Sequence, residues 1–354
     1  MKKIGFIINS LQIGGAERLL VDIINNLPKD YKVYLVLLSK KNNRLLDEIN
    51  ENINIHILGD KGNFISIINL RKYLKKKGIR TVFSHLERSN KIALIASIFT
   101  KTLVFPVVHS IDMYPNNNAR EKLSYFVAKK LYEIIPKKIV AISEGVKNYL
   151  EKEMSLQNNI VLIKNGIDFS RINLERNITN NKIIFATLGR IVYVKGLDNL
   201  FKFLSDKNLI NLNWRLKVIG DGPELNSLKE KAISLKIDYK IDFCGPHNNP
   251  FKLLSDVNYM LMPSRKEGLP ISILETLSIG IPSIVNDVGS LSKIIENGYN
   301  GYLVKNNNEW VNKIKCIMKI ENAEYNKLCS NAIKSVEEYK IDKCIEKYIK
   351  TAYG

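Results

Sequence analysis

The chain has 354 residues, 45% of them hydrophobic, which is long for one domain and enough for two buried cores. Its formal net charge is +19, with 27 Lys+Arg against 15 Asp+Glu in residues 1–170 and 27 against 20 in the remainder. That excess leaves nucleic acid, an anionic membrane and a diphosphate substrate open as partners, but no apolar run approaches the ~20 residues that cross a bilayer.

The opening apolar stretch, Ile4–Ile8, is too short for the core of a signal peptide, and no small-residue cleavage site follows it. It reads as part of a buried strand, Lys3–Ile8. Further strands are expected at Lys32–Leu38, Asn54–Leu58, Thr81–Ser84, Leu103–Val108, Lys138–Ile142 and Ile160–Ile163. Helical periodicity separates most of them, as in Ala16–Leu27, Ile65–Lys77 and Asn90–Phe99. The polar, aperiodic stretch Asp168–Lys182 reads as an interdomain linker. A second series follows, with strands at Ile183–Leu188, Trp214–Ile219, Lys240–Phe243, Tyr259–Met262 and Pro282–Val285. From Trp310 onward the pattern is helical throughout.

The strands of the first series are nearly all apolar rather than alternating. A sheet covered on both faces requires that, so it is expected to be parallel, and the second series repeats the architecture. Parallel open sheets take ligands at the carboxyl ends of their strands, where the strand order reverses. Chemistry is therefore expected in the loops that follow strands. Cys244, Cys316, Cys329 and Cys344 show no Cys-x-x-Cys spacing and no histidine at ligand distance, so they read as ordinary thiols in a reducing compartment, with no structural metal.

Three loops stand out. Ile13-Gly14-Gly15-Ala16-Glu17-Arg18 opens a helix, and its glycines would let free amides approach an anion. Leu188-Gly189-Arg190 leads to Lys195-Gly196, which sets two cations after a central strand. There they suit a leaving diphosphate, whose charge grows as its bond breaks. The third is Glu267-Gly268-Leu269-Pro270-Ile271-Ser272-Ile273-Leu274-Glu275. Pro270 suits the first turn of a helix, with free amides near Gly268–Ile271 lying between two carboxylates. Carboxylates accept hydrogen bonds from paired hydroxyls, so the arrangement suits a sugar and a ribose on either side of a phosphate. An acidic helix start would account for Glu267 through the helix dipole alone, but not for Glu275.

With these motifs in order, the chain resembles the retaining GT-B glycosyltransferases of family 4. The resemblance covers nearly the whole chain. It rests on Gly14-Gly15-Ala16-Glu17, Ser84-His85-Leu86, Val108-His109-Ser110, Ala141-Ile142-Ser143-Glu144, Asn165-Gly166-Ile167-Asp168, Gly189-Arg190 with Lys195-Gly196, Gly220-Asp221-Gly222-Pro223, and Glu267 with Glu275. It implies an α/β fold of two Rossmann-like domains whose parallel sheets face a central cleft. The expected domains are 1–168 for the acceptor and 169–335 for the nucleotide sugar, with 336–354 a helix returning to the first.

The resemblance also implies roles. Arg190 and Lys195 would bind the donor diphosphate. Glu267 would hold hydroxyls of the transferred sugar beside Gly268 and Leu269, and Glu275 would hold the ribose. Gly14 and Gly15 would meet the distal phosphate, Gly245 the base, and His109 the reacting sugar. His85 would either touch the acceptor or cap a strand. No metal or other cofactor is expected.

The implied reaction moves a hexose or N-acetylhexosamine from a nucleotide-diphosphate sugar to a glycan or polyprenyl-diphosphate-linked acceptor in cell-surface polysaccharide synthesis. A non-catalytic nucleotide-sugar-binding protein and an epimerase-like enzyme are the alternatives. Nucleic-acid binding is not expected, because no interleaved aromatics or known module accompany the charge. The run Arg71–Arg80 holds six cations and no acid, and Lys129-Lys130 and Lys137-Lys138 add to it. It points to a cytoplasmic protein held peripherally on an anionic leaflet.

Overall fold

The computed structural model describes every residue except 61, 110–118, 157–158, 173 and 179–181. Ser110 and parts of the expected linker therefore lie outside the described residues. The chain divides into two compact units, one of Met1–Gly166 with Ile341–Gly354, the other of Ile167–Lys340.

The first unit is a seven-stranded parallel sheet. Its strands are β1 (Lys2–Ile8), β2 (Tyr31–Leu37), β3 (Asn54–Ile57), β4 (Thr81–His85), β5 (Leu103–Val108), β6 (Lys138–Ala141) and β7 (Asn159–Leu162), in the order β3-β2-β1-β4-β5-β6-β7. Every pairing is parallel. Helices α1 (Gly15–Asn25), α2 (Asn63–Lys77), α3 (Glu87–Ser97), α4 (Ala119–Ile134) and α5 (Glu144–Asn148) connect the strands. The order reverses between β1 and β4, so the loops after these strands meet at one edge. The inward residues of β1 and β4, Ile4, Phe6, Ile8 and Phe83, are wholly buried. Each such side chain stabilises the fold by roughly 1.5–3 kcal/mol over its exposed state.

The second unit is a six-stranded parallel sheet. Its strands are β8 (Ile183–Leu188), β9 (Trp214–Ile219), β10 (Ile241–Gly245), β11 (Tyr259–Met262), β12 (Ser283–Asn286) and β13 (Gly301–Val304), in the order β10-β9-β8-β11-β12-β13. Its pairings are likewise parallel. The longer helices here are α6 (Leu197–Leu204), α7 (Leu225–Ser234), α8 (Ile271–Ser278), α9 (Asn307–Ile317) and α10 (Asn322–Ser335). Reversal falls between β8 and β11. Trp214, Phe185, Phe201 and Tyr259 fill the core around it.

The last helix, α11 (Ile341–Tyr353), belongs to the first unit. Tyr353 donates its hydroxyl to the Lys3 carbonyl at 3.0 Å, and Tyr348 meets Phe83 edge-on at 4.7 Å between ring centroids.

The structure corrects the sequence reading in four places. Strand β13 was not expected, because four residues beginning with glycine carry little strand signal. The segment read as a linker is fastened to the second unit. Arg176 donates to the carbonyls of Gly280 and Val257 and to the Tyr325 hydroxyl, and the Asn177 amide donates to the Ser255 carbonyl at 2.8 Å. Pro270 precedes α8 as its N-cap and is not inside its first turn. Arg71 is not a free surface cation. It donates to the carbonyls of Ile95, Ala96 and Ile98 at 3.0–3.1 Å and so caps the end of α3.

Candidate active site

In the second unit, the loops after β8 and β11 emerge side by side where the strand order reverses. A pocket there is lined by Thr187–Arg190, Lys195, Leu197 and Met260–Ser264. The loop after β8 is held from below by the Gly220-Asp221-Gly222-Pro223 turn. A side chain at Gly220 would strike the Gly189 carbonyl, and one at Gly222 the Ile191 carbonyl. Only glycine permits that contact, which accounts for this motif in the sequence.

Arg265 ties the same loop to β11. It makes two hydrogen bonds to Asp198 at 2.8 and 2.9 Å, donates to the Tyr193 carbonyl at 2.6 Å and stacks 3.9 Å from the Tyr193 ring. The hydrogen bonds from Arg265 hold the Asp198 carboxyl below its usual range. The loop carrying Lys195 is therefore set in place before any ligand arrives.

Three of the expected site residues, Arg190, Lys195 and Glu267, meet here, with partners the sequence did not disclose. Lys195 Nζ donates to Glu267 Oε1 at 2.6 Å, and the Ser264 hydroxyl donates to the same oxygen at 2.6 Å. The Glu267 side chain is 9% exposed and that of Lys195 22%. Arg190, which lines the same pocket, is exposed and makes no ion pair among the described residues. Glu275, on the buried side of α8, pairs with Arg171 at 2.6 Å. Arg171 comes from the segment read as linker, and its guanidinium lies 5.5 Å from the Phe251 ring.

Gly268 accepts a hydrogen bond from the Ser290 hydroxyl, and Gly289 lies so close to the Glu267 carbonyl that no side chain fits there. Asn286 donates to the carbonyls of both Pro263 and Ser264 at 2.9 Å. The 263–268 loop is thus braced from β12. Leu269 is buried beneath it. Gly245 ends β10 with open space around its α-carbon, and its carbonyl accepts from the Gly220 amide at 2.9 Å.

In the first unit, Gly14 and Gly15 open α1 at the β1 edge. The Glu17 carboxylate folds back over Gly14, and Gln12 donates to it at 3.2 Å. The amides expected to face an anion therefore lie beside the chain's own carboxylate. The Ser89 hydroxyl donates to Asn9 Oδ1 at 3.0 Å and joins α3 to the loop after β1.

His85, at the end of β4, is fully buried, and its Nδ1 lies 3.1 Å from Nε2 of His109 after β5. Direct contact with an acceptor is closed to His85 in this structure. Burial lowers the His109 pKa to about 4. It lowers that of His85 well below the usual range, with His109 adding to the effect, so both rings are neutral at pH 7. Among the described residues no group of three or more His, Cys, Asp or Glu side chains is placed to hold a metal ion.

Arg171, Ser264, Arg265 and Asn286 were missed from the sequence. Arg171, Arg265 and Asn286 reach partners distant along the chain, which no spacing marks, while Ser264 reaches Glu267 three residues on within one loop.

Residues 13–171 match the Glycosyltransferase Family 4 profile, and residues 168–336 match that of Glycosyl transferases group 1. An uncharacterized glycosyltransferase of Haemophilus influenzae is 27% identical over 98% of this chain and 99% of its own. A Campylobacter jejuni protein is also 27% identical, over 99% and 98%. It is named as the α-1,4-N-acetyl-D-galactosaminyltransferase acting on GalNAc-α-(1→4)-GalNAc-α-(1→3)-diNAcBac-PP-undecaprenol. Among solved structures, Anabaena HepE in complex with UDP-glucose superposes with a TM-score of 0.84, at 17% identity and 99% coverage of both chains. The fold is GT-B, and the chain belongs to the glycosyltransferases, family 4 in its first half and group 1 in its second.

Proposed function

We propose that the protein transfers a hexose or N-acetylhexosamine from a nucleotide-diphosphate sugar to a lipid-linked or glycan acceptor, with retention at the anomeric carbon and without a divalent metal. The observation that carries this reading is the joining of Lys195 to Glu267 beside Arg190, at the reversal between β8 and β11. Each of the two charges is largely withdrawn from water and is satisfied by the other. A ligand carrying both a diphosphate and vicinal hydroxyls can replace both halves of the pair at once. Lys195 then turns to the phosphate with Arg190, and Glu267 accepts from sugar hydroxyls. Neither a free sugar nor a free phosphate could satisfy both charges.

As the glycosidic bond breaks, charge collects on the departing diphosphate, and the two cations Arg190 and Lys195 beside it lower the barrier. Glu275, held by Arg171, is set to accept from ribose hydroxyls, and Gly245 leaves room for the base. Gly14 and Gly15 come to the distal phosphate, and His109 to the reacting sugar. The acceptor attacks on the face the diphosphate leaves, and the diphosphate takes its proton. The relatives named for undecaprenol-linked substrates support a polyprenyl-diphosphate acceptor in cell-surface polysaccharide assembly. An α-linked donor should give an α-linked product in excess EDTA. An inverted anomeric coupling in the product NMR spectrum, or activity only with added Mg2+ or Mn2+, would refute the mechanism.

Such an acceptor places the enzyme at the cytoplasmic leaflet. No helix among the described residues is long and apolar enough to cross a membrane. On α2, however, exposed Phe64, Ile65 and Ile68 accompany exposed Lys72, Lys75, Lys76 and Lys77. On α4, Leu123, Phe126, Val127 and Ile134 are exposed as well. Apolar side chains beside lysines suit an anionic bilayer surface, where each cation contributes roughly 1 kcal/mol. The protein should float with phosphatidylglycerol vesicles at low salt, and changing Lys75, Lys76 and Lys77 to Ser should release it. Failure to float at low salt would refute membrane contact.

A further inference from the structure

His85 and His109 reach each other across neighbouring strands of the first sheet, 24 residues apart in the chain. Of the two, only His109 retains any exposure. His85 has no exposed surface, and its second ring nitrogen, Nε2, is buried without a hydrogen-bond partner. The ring lies between Phe6 of β1, 6.3 Å away between centroids, and Tyr348 of α11, also 6.3 Å away and within 4° of parallel. Among the described residues, neither histidine makes a second hydrogen bond.

A single hydrogen bond between two neutral imidazoles allows two arrangements of protons. In one, His109 donates from Nε2 to His85 Nδ1. The proton of neutral His85 then sits on Nε2, where it is a buried N–H with no acceptor. The parallel Tyr348 ring gives no relief, because an N–H in the plane of His85 does not point at the face of a ring parallel to it. In the other arrangement His85 donates from Nδ1, and Nε2 is a bare, buried acceptor. Orphaned buried N–H groups are among the rarest features of folded proteins. The second arrangement is therefore the favoured one. It makes His109 Nε2 an acceptor, so neutral His109 must carry its proton on Nδ1.

We propose that His85 is a positioning residue: by donating to His109 Nε2 it fixes the His109 ring and tautomer, leaving His109 Nδ1–H as a hydrogen-bond donor toward the bound substrate. His109 then serves as a donor to an oxygen atom of the sugar or its leaving group, and not as a general base. Burial of both rings keeps them neutral at pH 7, which preserves this pattern. The proposal deepens the glycosyltransferase reading and rests on it for the identity of the oxygen, but the proton pattern stands independently.

The test is a long-range proton–nitrogen NMR spectrum of the full chain with 15N-labelled histidine at pH 7, assigned against His109→Gln. The expected result is His109 with its proton on Nδ1 and a bare Nε2. A proton on His109 Nε2, or a charged His109, would overturn the proposal. His85→Phe keeps the ring and its stacking but removes the donor, so His109 should lose its single tautomer. With it, kcat should fall about ten- to a hundredfold while KM for the donor changes little. His85→Asn, which can return an N–H near the Nδ1 position, should restore part of kcat. An unchanged tautomer and kcat in His85→Phe would also overturn the proposal. The spectrum is read whether or not a sugar is transferred, so absent transferase activity would count against the functional reading alone.

Discussion

Lys195→Ala is expected to lower turnover about a hundredfold, corresponding to roughly 3 kcal/mol of lost stabilisation of the departing diphosphate. The loss should exceed that of a simple phosphate contact. Removing the ammonium leaves the Glu267 carboxylate, 9% exposed, with Ser264 as its remaining partner here. That carboxylate then repels the incoming diphosphate, so nucleotide affinity should fall together with turnover. Adding Glu267→Gln to Lys195→Ala should recover part of the nucleotide affinity, though not the turnover. Steady-state kinetics and calorimetric titration of the single and double variants measure both effects. Equal turnover in Lys195→Ala and wild type would remove Lys195 from the chemistry.

The second large effect is expected at Glu267 alone. Glu267→Gln keeps the size of the side chain and its ability to accept one hydrogen bond, but it loses the charge. Hydrogen bonds to charged groups contribute roughly 1.5–3 kcal/mol each, and two to sugar hydroxyls would account for a fall of about a hundredfold or more in use of the sugar donor. Free nucleoside diphosphate should bind at least as tightly as to wild type. Lys195, no longer held by an opposing charge, turns to the phosphate at lower cost. A fall in free-nucleotide affinity matching the fall in activity would instead make Glu267 a support for the loop.

Much of this site was legible because its parts lie close together along the chain. Arg190 and Lys195 share one loop, and Glu267 and Glu275 are separated by a spacing that links a loop to the buried side of the following helix. The first parallel sheet was legible from strands such as β1 and β5, which are buried on both faces and nearly all apolar. Contacts between distant segments were not. Nothing in the composition of residues 168–182 marks Arg171 as the partner of Glu275, because a guanidinium in a polar segment looks the same bound or free. Nor does the charge run at Arg71–Arg80 show that its first member is consumed in capping α3, while the rest stay exposed.

His85 illustrates the same limit. Its position after a central strand is readable, but its partner is set by the register of β4 against β5, and its burial by a helix that arrives more than 250 residues later. Strand β13 was missed for a different reason. Four residues beginning with glycine pair with β12 because the sheet edge is available, not because their own propensity demands it.

The central claim is that the reversal between β8 and β11 binds the diphosphate of a nucleotide sugar. It is tested most directly by the melting temperature of the purified protein in the presence of ADP, GDP, UDP and TDP and their hexose and N-acetylhexosamine conjugates. A ligand at a hundred times its Kd stabilises the folded state by about 2.7 kcal/mol, which reads as a shift of a few degrees. The account predicts such a shift with the conjugates of one base, and its loss in an Arg190→Ala, Lys195→Ala double variant that melts normally without ligand. No shift with any of these nucleotides, or an undiminished shift in the double variant, would contradict it.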